Sequence, residues 1–292
     1  MALSKYAFDL ILELRSRSLF QNKTSVLDMG DQNLSMDNSI LLKRLNDNRI
    51  SLDSEQSSLL QSKDNPKFYL SSSFLWQILG FEKTDRIDLS FHIKRKEVLK
   101  NQTLIKHDLN LLIDEKFHNQ YDIVTDFGNN EHIFEVSTAF KNMHNFCKKD
   151  GYLIISQSLI YGNGFYNFNF DFFETLAAYN NYDIVFSNIY FFFKDNSYIN
   201  TELDINFLKK IKDDNVDSIN QVYVFRKNDD RKFILPYVEA FPEKEQIKLF
   251  NIVFDKNSYP FERHYVLTEY KDMQFIDLLK ILLSKILKKI FN

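Results

Sequence analysis

Cysteine is almost absent from this chain of 292 residues, which contains one, Cys147. A lone cysteine excludes a disulfide bond within the chain and any metal site built from several thiolates, and it is typical of a reducing compartment. Cys147 falls in a segment with helical periodicity, so buried filler is favoured over a nucleophile.

Glycine and proline are also scarce, with 6 and 4 residues, whereas phenylalanine and tyrosine number 29 and 15. This composition indicates a stiff, aromatic-rich chain with few unusual turns. The hydrophobic fraction of 44% is ample for a folded core and far from a disordered composition. The length allows one large α/β domain or a domain with an extension.

No charge of one sign dominates, and no long apolar run is present. The net charge of −3 gives no general attraction to nucleic acid. No run of about 18 uncharged apolar residues occurs, and charged residues interrupt any signal-peptide core near the start. The sequence therefore predicts a soluble, cytoplasmic protein without a transmembrane segment or a nucleic-acid partner.

Short β-rich runs alternate with helical ones, a pattern typical of an α/β fold. Four successive runs finish on an aspartate, namely Asp28, Asp88, Asp108 and Asp126. Because the carboxyl ends of parallel strands share one edge, where ligands bind, we expect these carboxylates to face a ligand with several hydrogen-bond donors. The alternative is that each aspartate caps the helix that follows it.

The last of these runs leads from Asp126 through Phe127 and Gly128 to Glu131 and His132. A glycine turn lets the backbone approach a ligand closely, and a histidine exchanges its proton near neutral pH. His132 is therefore predicted to be a general base, with Glu131 orienting it or contacting the substrate. The alternative is a capping role at the start of the next helix.

The first run ends in Asp28-Met29-Gly30-Asp31, where Gly30 permits a tight turn beside two carboxylates. These charges suit a positive or neutral ligand. A G-x-G-x-x-G fingerprint would need two more glycines, and they are missing. Their absence argues against a nicotinamide-dependent oxidoreductase, which stays as an alternative.

An aromatic and amide-rich loop, Leu159–Asn169, follows the strand predicted over Tyr152–Ser156. Because function concentrates on loops held by a rigid sheet, we expect the acceptor pocket here. Asn163, Tyr166 and Asn169 are the predicted substrate-binding residues. The alternative is an aromatic plug over the end of the sheet.

Two segments fall outside the strand pattern. Residues 31–80 separate the first two strands, and the polar part over 47–66 is predicted to be a long loop or lid. Residues 228–292 form a C-terminal extension that ends in an amphipathic helix over 272–291. This helix is predicted to pack on the domain or in a homodimer, with peripheral membrane contact as the alternative. No histidine has metal-ligand spacing, so no metal is predicted.

The order of these motifs resembles a divergent class I S-adenosylmethionine-dependent methyltransferase. The matching motifs are Val26–Gly30, Ile87-Asp88, Asp108-Leu109-Asn110, Tyr121–Gly128 with Glu131-His132, and Gly151–Ile155. The resemblance implies a Rossmann-like, doubly wound and mostly parallel seven-stranded sheet with an antiparallel last strand. It implies a methyltransferase domain over 1–227, with 31–80 as a lid insertion and 228–292 as the extension.

The resemblance also implies S-adenosyl-L-methionine as the cofactor. The residues implied to bind it are Asp28, Gly30, Asp31, Asp88, Leu89, Asp108, Leu109, Asp126, Phe127 and Gly128. Among them, Asp88 would hold the ribose hydroxyls, Asp108 would bind the adenine amino group and Leu109 would pack against the base. An alternative gives the ribose to Asp53, because it follows Asp28 by 25 residues, nearer the usual spacing of about 20 than the 60 of Asp88.

The resemblance implies in-line methyl transfer to an oxygen or nitrogen of a small polar acceptor, with His132 as the base. A narrower resemblance is to methyltransferases that modify bacterial surface sugars or their nucleotide-linked precursors, which implies O-methylation in capsule biosynthesis. The alternative is a non-catalytic methyltransferase-like subunit that binds a partner through its C-terminal helix.

Overall fold

A computed structural model describes residues 2–61, 70–90, 101–202 and 216–236. Within these residues the strands are β1 (Ala2–Leu3), β2 (Ser25–Met29), β3 (Asn33–Leu34), β4 (Lys83–Asp88), β5 (Leu104–Lys106), β6 (Tyr121–Phe127), β7 (Cys147–Ile160), β8 (Tyr182–Phe193), β9 (Tyr198–Glu202) and β10 (Val216–Lys227). The α-helices are α1 (Lys5–Ser16), α2 (Asn38–Asp47), α3 (Ser54–Gln61), α4 (Ser72–Ile78), α5 (Val136–Phe146) and α6 (Phe170–Tyr179).

Eight strands form one sheet in the order β5-β4-β2-β6-β7-β10-β8-β9. The strands from β5 to β7 are parallel, whereas β10 lies antiparallel between β7 and β8. The predicted fold class is therefore confirmed, including the antiparallel late strand. The edge strand β9, antiparallel to β8, is an eighth strand that the sequence did not predict.

Side chains on the two faces of the sheet form separate hydrophobic cores. One core packs α1, α2 and α4 against residues such as Ile123 and Val222. The other packs α5 and α6 against residues such as Val124 and Tyr223. This alternation along β6 and β10 follows the two-residue period of a strand and gives the three-layer arrangement of a doubly wound fold.

The run Phe68–Leu79 predicts a helix with Gly80 as its stop, and helix α4 ends there. Gly80 has φ +95°, and its N–H donates to the Gln77 carbonyl at 3.0 Å, while Phe81 N–H donates to the Trp76 carbonyl at 3.0 Å. These two bonds form a Schellman motif, and the Trp76 and Phe81 rings complete it with centroids 5.3 Å apart. The predicted start at Phe68 is too early, because Leu70 and Ser71 are not helical.

Three other boundary predictions are wrong. The polar stretch predicted as a loop contains α3, where Asp53 accepts from Gln56 N–H at 2.7 Å and donates its own N–H to the Gln56 side chain. This reciprocal cap stabilises a helix that its weak hydrophobic pattern does not reveal. Cys147 begins β7 instead of ending α5, although its thiol is buried as predicted. Strand β7 also continues to Ile160, so the aromatic loop starts at Tyr161.

The segment 228–236 has no regular secondary structure but is fixed to the α5–α6 face. His144 Nε2 lies 2.8 Å from the Arg231 carbonyl, and the Asn180 side chain bonds both the N–H and the carbonyl of Ile234. The predicted helix over 272–291 lies outside the described residues. In the part of the chain that the structure describes, no helix has the length and apolarity needed to span a bilayer.

The buried ammonium of Lys227 gives the first testable prediction. Its Nζ donates to Asn119 Oδ1 and to the carbonyls of His144 and Cys147 at 2.7–3.1 Å. Because Lys227→Met leaves these acceptors without a donor, it should lower the free energy of unfolding by about 2–5 kcal/mol, measured in a denaturant titration.

The matched control is the neighbouring Arg226→Met. Arg226 forms a solvent-exposed ion pair with Asp150 at 2.6 Å, so its loss should cost less than about 1 kcal/mol. Equal losses in the two variants would contradict the special role of the buried lysine.

Candidate active site

The carboxyl ends of β2 and β6 meet at the topological switch point of the sheet. From β2 the chain adds β4 and β5 on one side, and from β6 it adds β7 on the other. In open α/β sheets this is where ligands bind. Gly30 and Gly128 follow the two strands with φ values of +92° and +75°, a backbone conformation that favours glycine.

Asp28 lies inside the protein at this switch point. Its Oδ2 accepts from Ser72 Oγ at 2.5 Å, and its Oδ1 accepts from Thr125 Oγ1 at 2.5 Å and Trp76 Nε1 at 3.0 Å. Burial raises the pKa of its carboxyl, and the three hydrogen bonds oppose that rise. Asp28 has no exposed surface and holds α4 and β6 to β2. Its contact with the cofactor stays a prediction.

The turn after Gly30 is held by a buried ion pair. Arg86 Nη1 lies 2.5 Å from Asp31 Oδ1, and both side chains are almost fully buried. With the Gln102 amide oriented so that its oxygen faces the guanidinium, Oε1 lies 2.9 and 3.0 Å from Arg86 Nε and Nη2. The Asp31 carboxylate is therefore engaged within the protein, and the position of Gly30 is also restricted, because a Cβ there would lie 2.8 Å from Asn129 Oδ1.

Asp88 closes β4 beside this turn and is half-buried. Its Oδ2 accepts from Asp31 N–H at 2.6 Å and its Oδ1 accepts from Ser90 N–H at 3.1 Å, so the carboxylate is oriented but still reaches solvent. Leu89 is 59% exposed next to it. The rival ribose ligand, Asp53, is the exposed cap of α3 and does not lie at a strand end.

Asp108 and Leu109 lie just beyond β5, the next strand along the same edge. Asp108 is half-buried, and its Oδ1 accepts from the backbone and side-chain nitrogens of Asn110 at 2.9 and 2.8 Å. These two hydrogen bonds lower the pKa of the Asp108 carboxyl. Leu109 is buried in the core against the α5–α6 face.

Asp126 lies one residue before the end of β6 and is also fully buried. Its Oδ1 accepts from the N–H groups of Asn129 and Asn130, and its Oδ2 accepts from Gln157 Nε2 at 2.5 Å. Burial raises the pKa of Asp126 to about 7, against the lowering effect of these hydrogen bonds, and the negative charge of Glu131 adds to the rise. The carboxylate of Asp126 shapes the turn that follows. Its contact with the cofactor stays a prediction. Phe127 is buried in the α1–α4 core.

Glu131 and His132 occupy a 3-10 turn over Asn130–His132, directly after this capped strand end. Glu131 is buried, and its Oε2 accepts from Ser158 N–H at 3.0 Å. His132 Nε2 lies 3.6 Å from Glu131 Oε1, and the histidine side chain is 36% exposed. The predicted pair is thus adjacent, with the histidine facing solvent and the glutamate fixed behind it.

The loop after β7 uses its amides within the protein. Asn169 Oδ1 accepts from Phe172 N–H at 2.9 Å and caps α6, and Asn167 Oδ1 accepts from Gly162 N–H at 2.9 Å. Tyr166 Oη donates to the Phe134 carbonyl at 2.8 Å. Asn163 is exposed. Substrate contacts by Asn163, Tyr166 and Asn169 stay a prediction.

The rim of the sheet fits the adenosine half of S-adenosylmethionine better than the methionine half. Asp88 and Asp108 follow adjacent strands with partly exposed carboxylates, as hydroxyl and amino donors require. At the ends of β6 and β7, Asn129 Nδ2, Asn130 Oδ1 and Gln157 Oε1 are buried with no hydrogen-bond partner among the described residues. These atoms offer contacts to a polar group, whereas Asp28, Asp31 and Asp126 are already engaged.

Several residues that build the site were missed from the sequence. Arg86 is a charged residue inside β4, which is a usable signal, because a charged residue within a sheet needs a partner. Trp76, the only tryptophan in the chain, is also a usable signal, because a buried indole N–H needs an acceptor. Gln157 carried no local signal. Among the described residues, no group of acidic, histidine or cysteine side chains is arranged to hold a metal ion.

Comparisons with known proteins concern the fold. No family model matches the chain, and no curated protein sequence matches it significantly. An S-adenosylmethionine-dependent methyltransferase from Mesorhizobium loti is 12% identical, with 52% of this chain covering 56% of that one and a TM-score of 0.28. MycE, solved with Mg, SAH and mycinamycin VI, is 16% identical, with 51% of this chain covering 34% of that one and a TM-score of 0.30. N-methyltransferase NodS from Bradyrhizobium japonicum WM9 is 9% identical, with 77% of this chain covering 99% of that one and a TM-score of 0.41.

These similarities are distant, and the first two span only about half and a third of the lengths of the solved chains. Identities and TM-scores this low carry no argument about activity. The strand order and the antiparallel insertion of β10 confirm the fold that the sequence resemblance to class I methyltransferases implies.

The protonation of Asp126 gives a pH prediction. Between about pH 4 and pH 7 the folded protein retains a proton that the unfolded chain releases, so this group makes stability fall as pH rises through that window. Asp126→Asn removes the effect, and its amide finds an acceptor when the Gln157 side chain turns over. Relative to the native protein, the variant should gain roughly 2–4 kcal/mol by pH 7, measured by urea unfolding from pH 4 to 8.

Glu174 is the control, because burial raises its pKa to about 7 as well and it lies on α6, away from this turn. The increase in the free energy of unfolding caused by Asp126→Asn should be the same whether or not Glu174→Gln is also present. If the free energy of unfolding varies with pH in parallel for the native protein and Asp126→Asn, Asp126 is charged in the folded protein.

Proposed function

We propose that this protein is an S-adenosylmethionine-dependent methyltransferase that acts on a small acceptor. The observation that carries the proposal is the position of Asp88, which is half-buried, oriented by Asp31 N–H and next to the glycine turn at the switch point. A carboxylate with accessible lone pairs at this position suits two vicinal ribose hydroxyls. Asp108, beyond the neighbouring strand, is placed for the adenine amino group.

The chain's own residues would act on the acceptor. When bound, the cofactor supplies a methyl group carried on a sulfonium. His132 Nε2 faces Glu131 Oε1 at 3.6 Å, which leaves Nδ1 as the ring nitrogen that takes the acceptor proton. Glu131, fixed by Ser158 N–H, holds the imidazole and stabilises its positive charge once it is protonated. The acceptor therefore lies beyond the ends of β6 and β7.

The narrower assignment, O-methylation of a sugar or a nucleotide-linked precursor in bacterial capsule biosynthesis, is part of this proposal. It is supported by the sequence resemblance alone. On the same basis we propose that residues 31–80 form a lid insertion and that residues 228–292 form a separate extension.

A second candidate is a non-catalytic methyltransferase-like subunit. It is favoured by the packed turn after β2, where Asn129 lies against Gly30 and the Asp31 carboxylate pairs with Arg86. Such a protein would keep the fold and bind no adenosyl ligand.

The ribose assignment is tested by calorimetry with S-adenosylhomocysteine. Asp88→Ala should weaken binding at least about tenfold, because it removes hydrogen bonds from hydroxyls to a charged acceptor. Asp53→Ala, at the cap of α3, should leave the dissociation constant unchanged. Unchanged affinity in Asp88→Ala would refute the ribose assignment, and no binding by the native protein would favour the non-catalytic subunit.

The role of His132 is tested by turnover with an acceptor found by screening for S-adenosylhomocysteine release. His132→Gln should lower kcat by about a hundredfold or more and leave S-adenosylhomocysteine affinity intact. The control is His107→Gln, which should leave kcat unchanged. His107 Nε2 bonds the Leu111 carbonyl at 3.0 Å beside the predicted adenine site, away from the acceptor. A normal kcat with His132→Gln would exclude it as the base.

A further inference from the structure

Two phenylalanines, Phe134 and Phe165, lie exposed beside the proposed base. Each is 69% exposed, and their rings meet edge to face with centroids 6.0 Å apart at 87°. Phe134 follows His132 by two residues, and Phe165 N–H donates to the Glu131 carbonyl at 2.7 Å. The aromatic pair therefore flanks the catalytic turn and spans the ends of β6 and β7.

The pair is held in place by the backbone. The Phe134 carbonyl accepts from Tyr166 Oη at 2.8 Å, which ties the turn to the loop after β7. Gly164 packs so closely that a Cβ there would lie 2.6 Å from the Glu131 carbonyl oxygen. Two large apolar rings fixed in solvent mark a binding surface, since unliganded exposure of such rings is unfavourable.

Two of the loop's amide oxygens are engaged within the protein. The side-chain oxygens of Asn167 and Asn169 accept backbone hydrogen bonds within the loop and at the start of α6. What the loop presents to the acceptor is thus mainly aromatic surface. Of the predicted amides, Asn163 is exposed and keeps its predicted contact with the acceptor.

The two chain segments that carry the pair are negative or neutral in charge. Residues 117–140 and 150–193, which include the turn and the loop, contain no lysine or arginine. Glu131 lies on the turn itself, and Glu135 precedes α5 three residues after it. A phosphate or carboxylate on the acceptor would find no cationic side chain in these segments to pair with it.

We propose that the acceptor is a neutral ring with an apolar face, which packs on Phe134 and Phe165 and carries its acceptor hydroxyl at the edge toward His132. This inference rests on the proposed function and narrows its acceptor. Two kinds of molecule have this chemistry, a pyranose through its axial C–H face and a phenol through its π face. A nucleotide-linked sugar is charged and does not, so this inference drops the nucleotide-linked precursor from the acceptors of the proposed function.

The test uses the full chain and ligand-observed NMR titrations with methyl β-D-glucopyranoside, phenol and glucose 1-phosphate. At least one neutral probe should bind saturably, and which one binds identifies the source of the ring. Phe134→Ala and Phe165→Ala should each weaken that binding about tenfold, whereas leucine at either position should recover only part of it. Leu235→Ala, at an exposed apolar residue of the 228–236 segment, is the control and should have no effect.

The proposal is overturned if neither neutral probe binds, if glucose 1-phosphate binds more tightly than the methyl glucoside, or if both alanine variants keep native affinity. S-adenosylhomocysteine calorimetry on the same variants separates this outcome from the proposed function. The variants should bind the nucleoside normally. Ring binding without any nucleoside binding would reject the methyltransferase and keep the aromatic site.

Discussion

The hydrogen bonds of one buried carboxylate, Asp28, fix the geometry on which the site depends. Removing a carboxylate from water is costly, and here three donors offset the cost, two from α4 and one from β6. Because these donors come from different elements, they fix the positions of α4 and β6 relative to β2. The turns at Gly30 and Gly128, which follow β2 and β6, are therefore fixed relative to each other.

Depth of burial divides the acidic residues into two groups. Asp28, Asp31 and Asp126 are buried and bonded to protein donors, so they shape the turns. Asp88 and Asp108 lie farther out on the same edge, and their carboxylates reach solvent. The Asp31–Arg86 ion pair follows the single glycine of this turn, in the stretch where a G-x-G-x-x-G fingerprint has further glycines, and it fixes Asp31 against β4. The buried and the accessible carboxylates thus lie along the same edge of the sheet.

The sequence predicted features that depend on local pattern. The strands before Asp88 and Asp126 and the stop at Gly80 follow from periodicity and turn chemistry, which act over a few residues. The partners of Asp28 and Asp126 could not be predicted, because Ser72, Thr125 and Gln157 lie 31 to 97 positions away in the chain. Helix α3 was missed because its polar residues hide the period. The exposure of Phe134 and Phe165 could not be predicted either, because the local sequence does not determine whether an aromatic residue in a loop packs inward or outward.

The place of β10 in the sheet has a consequence for biosynthesis. It lies between β7 and β8, so two strands made earlier have no shared neighbour until residues 216–227 leave the ribosome. Until then the nascent chain exposes two unpaired edges with many apolar side chains, a state prone to association with other chains. Protection by a chaperone during translation would matter most in this interval, and slow decoding of the last strand would lengthen it.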